Sequence, residues 1–219
     1  MNTTILFDLD GTLLDTPKAI AELLMAVSAD HGQPVTLQTA RETVGRPLEK
    51  VFASLLKVEP DAPVVDAAIQ DYRARFEKDV LPNARSILYS DTVSTLQRLR
   101  DEGVCMCVAT SKIERTANAL LEAAGIRGFF EIVAGHDSVQ NGKPAPDMAI
   151  EVARRLGASP ADCYVVGDSA DDMRMSVSAG MTAIGVLTGV HDRTRLIEGG
   201  ASTVLATLGE LQVSNEVTA

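Results

Sequence analysis

The chain has 219 residues, of which 46% are hydrophobic, and it carries a formal net charge of −10. This length and composition are sufficient for a full hydrophobic core, in one domain with an insert or in two modest domains. The acidic balance, with no lysine- or arginine-rich run, excludes a surface that tracks nucleic acid, and no apolar run approaches the roughly 20 residues of a membrane-spanning helix.

Short, continuously apolar runs alternate with helical patterns along most of the chain. Strands are predicted at 3–10, 103–111, 129–135, 163–169 and 181–187. Helices, each with a glycine just past its end, are predicted at 90–103, 113–125 and 146–157. Continuously apolar strands are typical of a sheet covered on both faces. The pattern therefore predicts a doubly wound α/β fold with a parallel, Rossmann-like sheet.

The segment from Asp15 to about Ala84 interrupts this alternation, because it contains helical patterns and no convincing strand. Proline and glycine separate the helices, most clearly at Gly32, 45–47 and 60–63. The sequence thus predicts an all-helical cap at 15–84, hereafter the cap segment, inserted into a core made of 1–14 and 85–219. The tail after Gln212 is predicted to fray.

The start of the chain and its cysteines predict a cytoplasmic protein. The first ten residues become acidic and contain no basic leader. Cys105, Cys107 and Cys163 lie in apolar strand-like runs, where they are expected to be small hydrophobic core residues in a reducing compartment.

Polar side chains collect where the predicted strands end. These residues are Asp8, Asp10, Thr110, Ser111, Asp168 and Asp172, with Lys143 in the loop "NGKPAPD". Because the carboxyl ends of parallel strands share one crevice, we expect these groups to lie together. Neighbouring carboxylates repel each other unless a cation is present, and oxygen ligands without histidine or thiol suit Mg²⁺.

A carboxylate site for Mg²⁺ beside hydroxyl and lysine donors suits phosphoryl transfer. One aspartate can attack phosphorus and become an aspartyl phosphate. Its neighbour can protonate the leaving oxygen and later accept a proton from water. Gly11 allows a sharp turn directly after the aspartate pair.

Four sequence features follow one another along the chain: "DLDGT" (8–12), Thr110, the lysine of "GKPAPD" and "GDSADD" (167–172). In this order they resemble the four motifs of the haloacid dehalogenase (HAD) superfamily. Within it, the chain is similar to phosphatases with a helical cap after the first strand, such as phosphoglycolate phosphatase. The resemblance covers nearly the whole chain. It implies a HAD-type phosphatase that uses Mg²⁺ and a small-molecule phosphate ester.

The resemblance also implies a role for each matched residue. Asp8 would be the nucleophile and Asp10 the general acid and base. Mg²⁺ would be held by Asp8, Asp168 and the backbone carbonyl of Asp10. The phosphate group would be bound by Thr110, Ser111 and Lys143. Asp172 would orient water or the lysine.

Several alternatives remain open from the sequence. A β-phosphoglucomutase-like phosphomutase shares the acids and the cap, whereas a signalling phospho-aspartate domain or a non-catalytic protein fits the motif order less well. "YSDT" (89–92) replaces a frequent Pro-Gly turn, and Ser111 replaces a frequent asparagine, so the ester itself is left open. Arg46, in a Gly-Arg-Pro break of the cap segment, either contacts an anionic substrate or faces solvent. The sequence does not indicate the oligomeric state.

Overall fold

The structure of the chain is a computed structural model that describes residues 3–212. Six strands form its central sheet: β1 (Thr4–Phe7), β2 (Cys105–Ala109), β3 (Ile132–Ala134), β4 (Cys163–Gly167), β5 (Thr182–Val186) and β6 (Thr203–Leu205). All neighbouring strands are parallel, in the order β3-β2-β1-β4-β5-β6. The predicted parallel α/β sheet is confirmed. The predicted frayed tail after Gln212 lies outside the described residues.

The central strand β1 is buried on both faces, which explains its continuously apolar sequence. Ile5, Leu6 and Phe7 are each 0% exposed. Ile5 and Phe7 belong to one hydrophobic cluster and Leu6 to another, because successive side chains of a strand point to opposite faces. The edge strand β6 was not predicted, since three residues that are exposed or half-buried do not form a recognisable apolar run.

Between β1 and β2 the chain is helical. It forms α1 (Pro17–Asp30), α2 (Leu37–Arg41), α3 (Leu48–Leu56) and α4 (Pro63–Arg75), followed by a π turn (Phe76–Val80) and a 3₁₀ turn (Leu81–Ile87). Proline begins α1 and α4, where its missing N–H has no helical partner to lose. Thr36 caps α2, because its hydroxyl accepts a hydrogen bond from the Thr39 N–H at 3.1 Å. No strand occurs in the cap segment among the described residues.

Three aromatic side chains pack together in the interior of the cap segment. The rings of Phe52 and Tyr72 meet edge to face with centroids 6.1 Å apart, and Tyr72 stacks on Phe76 at 6.0 Å. The two connections that lead into and out of this segment lie side by side, because Leu14 pairs with Leu88 in an isolated antiparallel bridge. The two connections therefore hold the helices beside the carboxyl end of β1.

Five further helices cover the sheet: α5 (Thr92–Asp101), α6 (Glu114–Ala124), α7 (Asp147–Leu156), α8 (Ala170–Ser178) and α9 (Arg193–Gly199). The first three match the predicted helices, and glycine follows α6 and α7 in the left-handed conformation. Cys107 and Cys163 are buried thiols, whereas Cys105 is half-buried. Across residues 3–212, no helix has both the length and the apolar character needed to cross a membrane.

Candidate active site

Three carboxylates meet beyond the carboxyl ends of β1 and β4. Asp8 directly follows β1, and its backbone N–H donates to the Val166 carbonyl at 2.8 Å, so the strand pairing fixes its position. Asp168 and Asp172 follow β4. One oxygen from each of the three carboxylates lies within 4.8 Å of the others, and all three residues are buried.

Lys143 provides a positive charge within this carboxylate cluster. Its Nζ lies 2.5 Å from Asp8 Oδ1 and 2.5 Å from Asp172 Oδ1. The lysine side chain is only 4% exposed, so it is not a solvated surface residue. Burial lowers the pKa of Lys143, but the carboxylates of Asp172 and Asp8 raise it more strongly, so the ammonium stays charged.

One ammonium does not balance three buried carboxylates. The pKa of Asp8 is raised to about 7, chiefly by burial; Lys143 lowers this pKa, and the charges of Asp172 and Asp10 raise it. Burial, followed by the charges of Asp8 and Asp172, also raises the pKa of Asp168 well above its usual range. Such shifts mean that the ionised cluster is unfavourable without more positive charge. The donor set therefore fits a hard divalent cation.

Asp168 is held by the loops after β1 and β5. The Val190 N–H donates to its Oδ2 at 2.7 Å, and the Thr12 hydroxyl donates to its Oδ1 at 3.3 Å. Two glycines make room for this carboxylate. A Cβ on Gly11, which has φ +84°, would lie 2.5 Å from Oδ2, and a Cβ on Gly189 would overlap the carboxylate and lie 2.5 Å from Asp168 Cβ.

Asp172 connects Lys143 to the first turn of α8. While its Oδ1 accepts from Lys143, its Oδ2 accepts from the Ser169 hydroxyl at 2.6 Å and from the Ser169 N–H at 3.1 Å. The Ser169 hydroxyl in turn accepts from the Asp172 N–H, which completes a capping box. Both oxygens of Asp172 are therefore engaged, and the residue positions the lysine.

Asp10 is held from two sides at the entrance of the cluster. The Thr16 hydroxyl donates to Oδ1 at 2.5 Å, and Lys112 Nζ lies 2.8 Å from Oδ2. The Lys112 ammonium also lies 4.8 Å above the centre of the Phe76 ring, so it contacts the cap segment. Lys112 was missed in the sequence, although its position directly after the hydroxyl pair at the end of β2 was an available signal.

The structure brings most of the predicted site residues into one recess, which we call the carboxylate recess. It has about 310 Å³ of empty space, open mouth included, and contains Asp8, Asp10, Thr110, Ser111, Lys143, Asp168 and Asp172. Thr110 is buried, and its hydroxyl accepts from the Lys112 N–H at 3.3 Å. Arg46 does not line this recess. It is exposed, and its side chain makes no hydrogen bond or ion pair within residues 3–212.

A second and larger opening, which we call the cap pocket, lies between the cap segment and the end of β2. It has about 770 Å³ of empty space, open mouth included, and Arg46 lies among its lining residues. The two cavities share Asp10, Val44, Gly45 and Ser111. Asp10 therefore stands at the junction between a polar recess and a wider pocket.

Comparison with known proteins adds an independent observation. The family profile described as "Haloacid dehalogenase-like hydrolase" matches residues 5–186. "Probable phosphatase IndB" of Dickeya dadantii is 39% identical over 96% of this chain and 92% of that protein. A phosphoglycolate phosphatase of Rhodobacter capsulatus is 35% identical over 83% of this chain and 82% of that protein. A haloacid dehalogenase-like hydrolase structure from Bacteroides fragilis is 27% identical, with a TM-score of 0.87 over 95% of this chain and 99% of that one.

Proposed function

The chain belongs to the haloacid dehalogenase-like hydrolases and is a phosphatase, and we propose that it hydrolyses a small phosphate monoester with Mg²⁺ through an aspartyl phosphate. The supporting observation is the position of Asp10 in both cavities. With the phosphoryl group of the substrate in the carboxylate recess and the organic group in the cap pocket, the ester oxygen that joins them lies beside Asp10. An acid at that oxygen assists bond cleavage.

Mg²⁺ would be held by the carboxylates of Asp8 and Asp168 and by the backbone carbonyl of Asp10. The raised pKa values of both aspartates support this assignment, since burial disfavours their ionised forms and Lys143 alone does not balance the charge of the cluster. When bound, Mg²⁺ neutralises phosphoryl charge and offsets the repulsion between the carboxylates.

The covalent chemistry uses Asp8 and Asp10. An Asp8 carboxylate oxygen attacks phosphorus, the bond from phosphorus to the ester oxygen breaks, and Asp10 gives its proton to the departing alcohol. The phosphoryl group is then an acyl phosphate on Asp8. A water molecule attacks the same phosphorus and gives its proton to Asp10, which releases inorganic phosphate and restores Asp8.

The remaining groups bind the phosphoryl oxygens or position the side chains that react. Lys143 and the hydroxyls of Thr110 and Ser111 bind phosphoryl oxygens, and Asp172 holds the lysine in place. Thr16 and Lys112 orient the Asp10 carboxylate. We also propose that residues 15–84 act as the cap, which excludes water during the attack and opens for hydrolysis and release.

Acid quenching during turnover tests this function. With Mg²⁺ and an aryl phosphate, mass spectrometry of the quenched wild-type protein is expected to find a phosphorylated Asp8. Chelation and the Asp8→Asn variant are each expected to abolish turnover, because an amide oxygen does not attack phosphorus. Phosphorylation at another residue, or full turnover in excess chelator, contradicts the mechanism.

The products of the same reaction separate the alternatives. A phosphatase releases inorganic phosphate from a sugar phosphate in proportion to substrate lost, whereas a β-phosphoglucomutase-like enzyme returns a phosphorylated isomer. A signalling domain would retain one phosphoryl group per chain without repeated turnover, and a non-catalytic protein would show neither reaction.

A further inference from the structure

The cap pocket has a different chemistry from the carboxylate recess beside it. One part of its wall is formed by buried cap side chains, including Ile20, Leu24, Val51, Tyr72 and Phe76. The last two are stacked aromatic rings, 5% and 2% exposed respectively. A ligand group in this space would be in contact with apolar and aromatic surface, which favours an apolar body.

Charged groups around the cap pocket give little preference for an anion. Arg46 and Arg73 line it, and so do Glu49 and Glu77. The remaining cation, Lys112, is already 2.8 Å from Asp10. The wall thus carries equal numbers of arginine and glutamate side chains, so a second carboxylate or phosphate on the substrate would enter largely apolar surroundings with no net positive charge to receive it, which is unfavourable.

The Tyr72 hydroxyl is one of several polar groups of the wall that have no partner within residues 3–212, and the buried Nδ1 of His136 is another. Tyr72 is 5% exposed and lines the pocket, yet no hydrogen bond reaches its hydroxyl within residues 3–212. Burial, with the charge of Asp10, raises the pKa of this phenol, so it stays a neutral donor. The ring of Tyr72 is buried but its hydroxyl oxygen is accessible, so a ligand acceptor could take the place of water as its hydrogen-bond partner.

We infer, on the basis of the proposed function, that the organic group of the ester is uncharged, largely apolar and about the size of a ring, and that it offers a hydrogen-bond acceptor to Tyr72. The cap pocket is the larger of these two cavities and shares Asp10 with the carboxylate recess. Phosphoglycolate and inorganic pyrophosphate do not match this description, because each is small and carries a second anionic group.

A substrate series tests the size and charge of the organic group. Ethyl, hexyl and 2-phenylethyl phosphates are esters of primary alcohols, so differences in kcat/KM report mainly on the pocket. We expect kcat/KM for 2-phenylethyl phosphate to exceed that for ethyl phosphate by about tenfold or more, and to exceed the values for phosphoglycolate and pyrophosphate. Equal kcat/KM values for the ethyl and phenylethyl esters, or a preference for phosphoglycolate or pyrophosphate, overturns the inference.

A matched pair of variants tests the hydroxyl. Tyr72→Phe is expected to lower kcat/KM for 2-hydroxy-2-phenylethyl phosphate about tenfold more than for 2-phenylethyl phosphate. Tyr164→Phe is the control, because Tyr164 lies in β4 and lines neither cavity. Equal effects of Tyr72→Phe on both esters, or the same selectivity in the control, refutes the role of the hydroxyl.

Binding of phosphonates separates this inference from the proposed function. If no ester is hydrolysed with Mg²⁺, the proposed function fails. The affinities of 2-phenylethylphosphonate and ethylphosphonate, measured by calorimetry, then test the inference about the cap pocket independently of catalysis. Tighter binding of the phenyl compound supports the assigned pocket chemistry, and equal binding or none overturns it.

Discussion

Replacing Gly189 by alanine is expected to damage the proposed metal site without changing any charge. The added Cβ would overlap the Asp168 carboxylate and lie 2.5 Å from Asp168 Cβ. Carbon atoms in contact normally lie roughly 3.5–4.0 Å apart, so the carboxylate or the loop must move by about 1 Å or more. Gly189 does not have the left-handed backbone that would itself strain an alanine.

The size of the effect follows from that displacement. A misplacement of about 1 Å in a reacting group costs on the order of 100-fold in rate. Loss of correct orientation around a metal weakens its binding by roughly 10- to 100-fold. We therefore expect Gly189→Ala to lower kcat for an aryl phosphate about 100-fold and to raise the Mg²⁺ concentration for half-maximal activity by a similar factor.

Steady-state turnover across a Mg²⁺ titration measures both quantities. Gly128→Ala is the matched control, because an added Cβ there has nothing within 4 Å, and its kinetics are expected to match wild type. Thermal unfolding in chelator checks that both variants are folded. Wild-type turnover together with wild-type Mg²⁺ dependence in Gly189→Ala would refute the placement of Asp168 as a metal ligand.

Three further predictions concern single side chains. Asp10→Asn is expected to slow alkyl phosphates by about 10²- to 10⁴-fold but aryl phosphates much less, because good leaving groups need little protonation; equal losses in both assays contradict the acid role. Lys143→Met leaves Asp8 and Asp172 without their buried partner, so urea unfolding in chelator should show that the free energy of unfolding falls by about 3–5 kcal/mol. A decrease below about 1 kcal/mol disproves the structural importance of Lys143. Arg46→Ala is expected to change kcat/KM less than about fivefold, since Arg46 is exposed. A larger loss, selective for esters with a second anionic group, would instead support the hypothesis that Arg46 contacts the substrate.

Much of the fold was predictable because its signals are local. The apolar runs around Ile5 and Val165 indicate strands covered on both faces, and the glycines after α6 and α7 mark helix ends. The short strand β6 lacked such a signal, because a three-residue edge strand gains its partner from β5 and not from its own pattern.

The acids of the candidate site were also predictable, since a parallel sheet brings its strand ends to one edge. Asp8 and Asp168 needed only the strand pattern and that rule. What each group contacts was not predictable. The contacts of Asp10 with Thr16 and Lys112 join the connection after β1 to the end of β2, and sequence spacing alone gives no distance between these two segments.

The sequence by itself determined the parallel sheet, the helical segment between its first two strands and the residue types at the strand ends, because each depends on neighbours along the chain. Only the tertiary structure decided that Lys143 is buried between two carboxylates, that Gly189 lies against Asp168, and that Tyr72 lines a pocket reaching Asp10. These relations depend on how the cap helices and the loops after β1, β4 and β5 pack together. Periodicity shows which face of an element is apolar, but packing decides what that face meets.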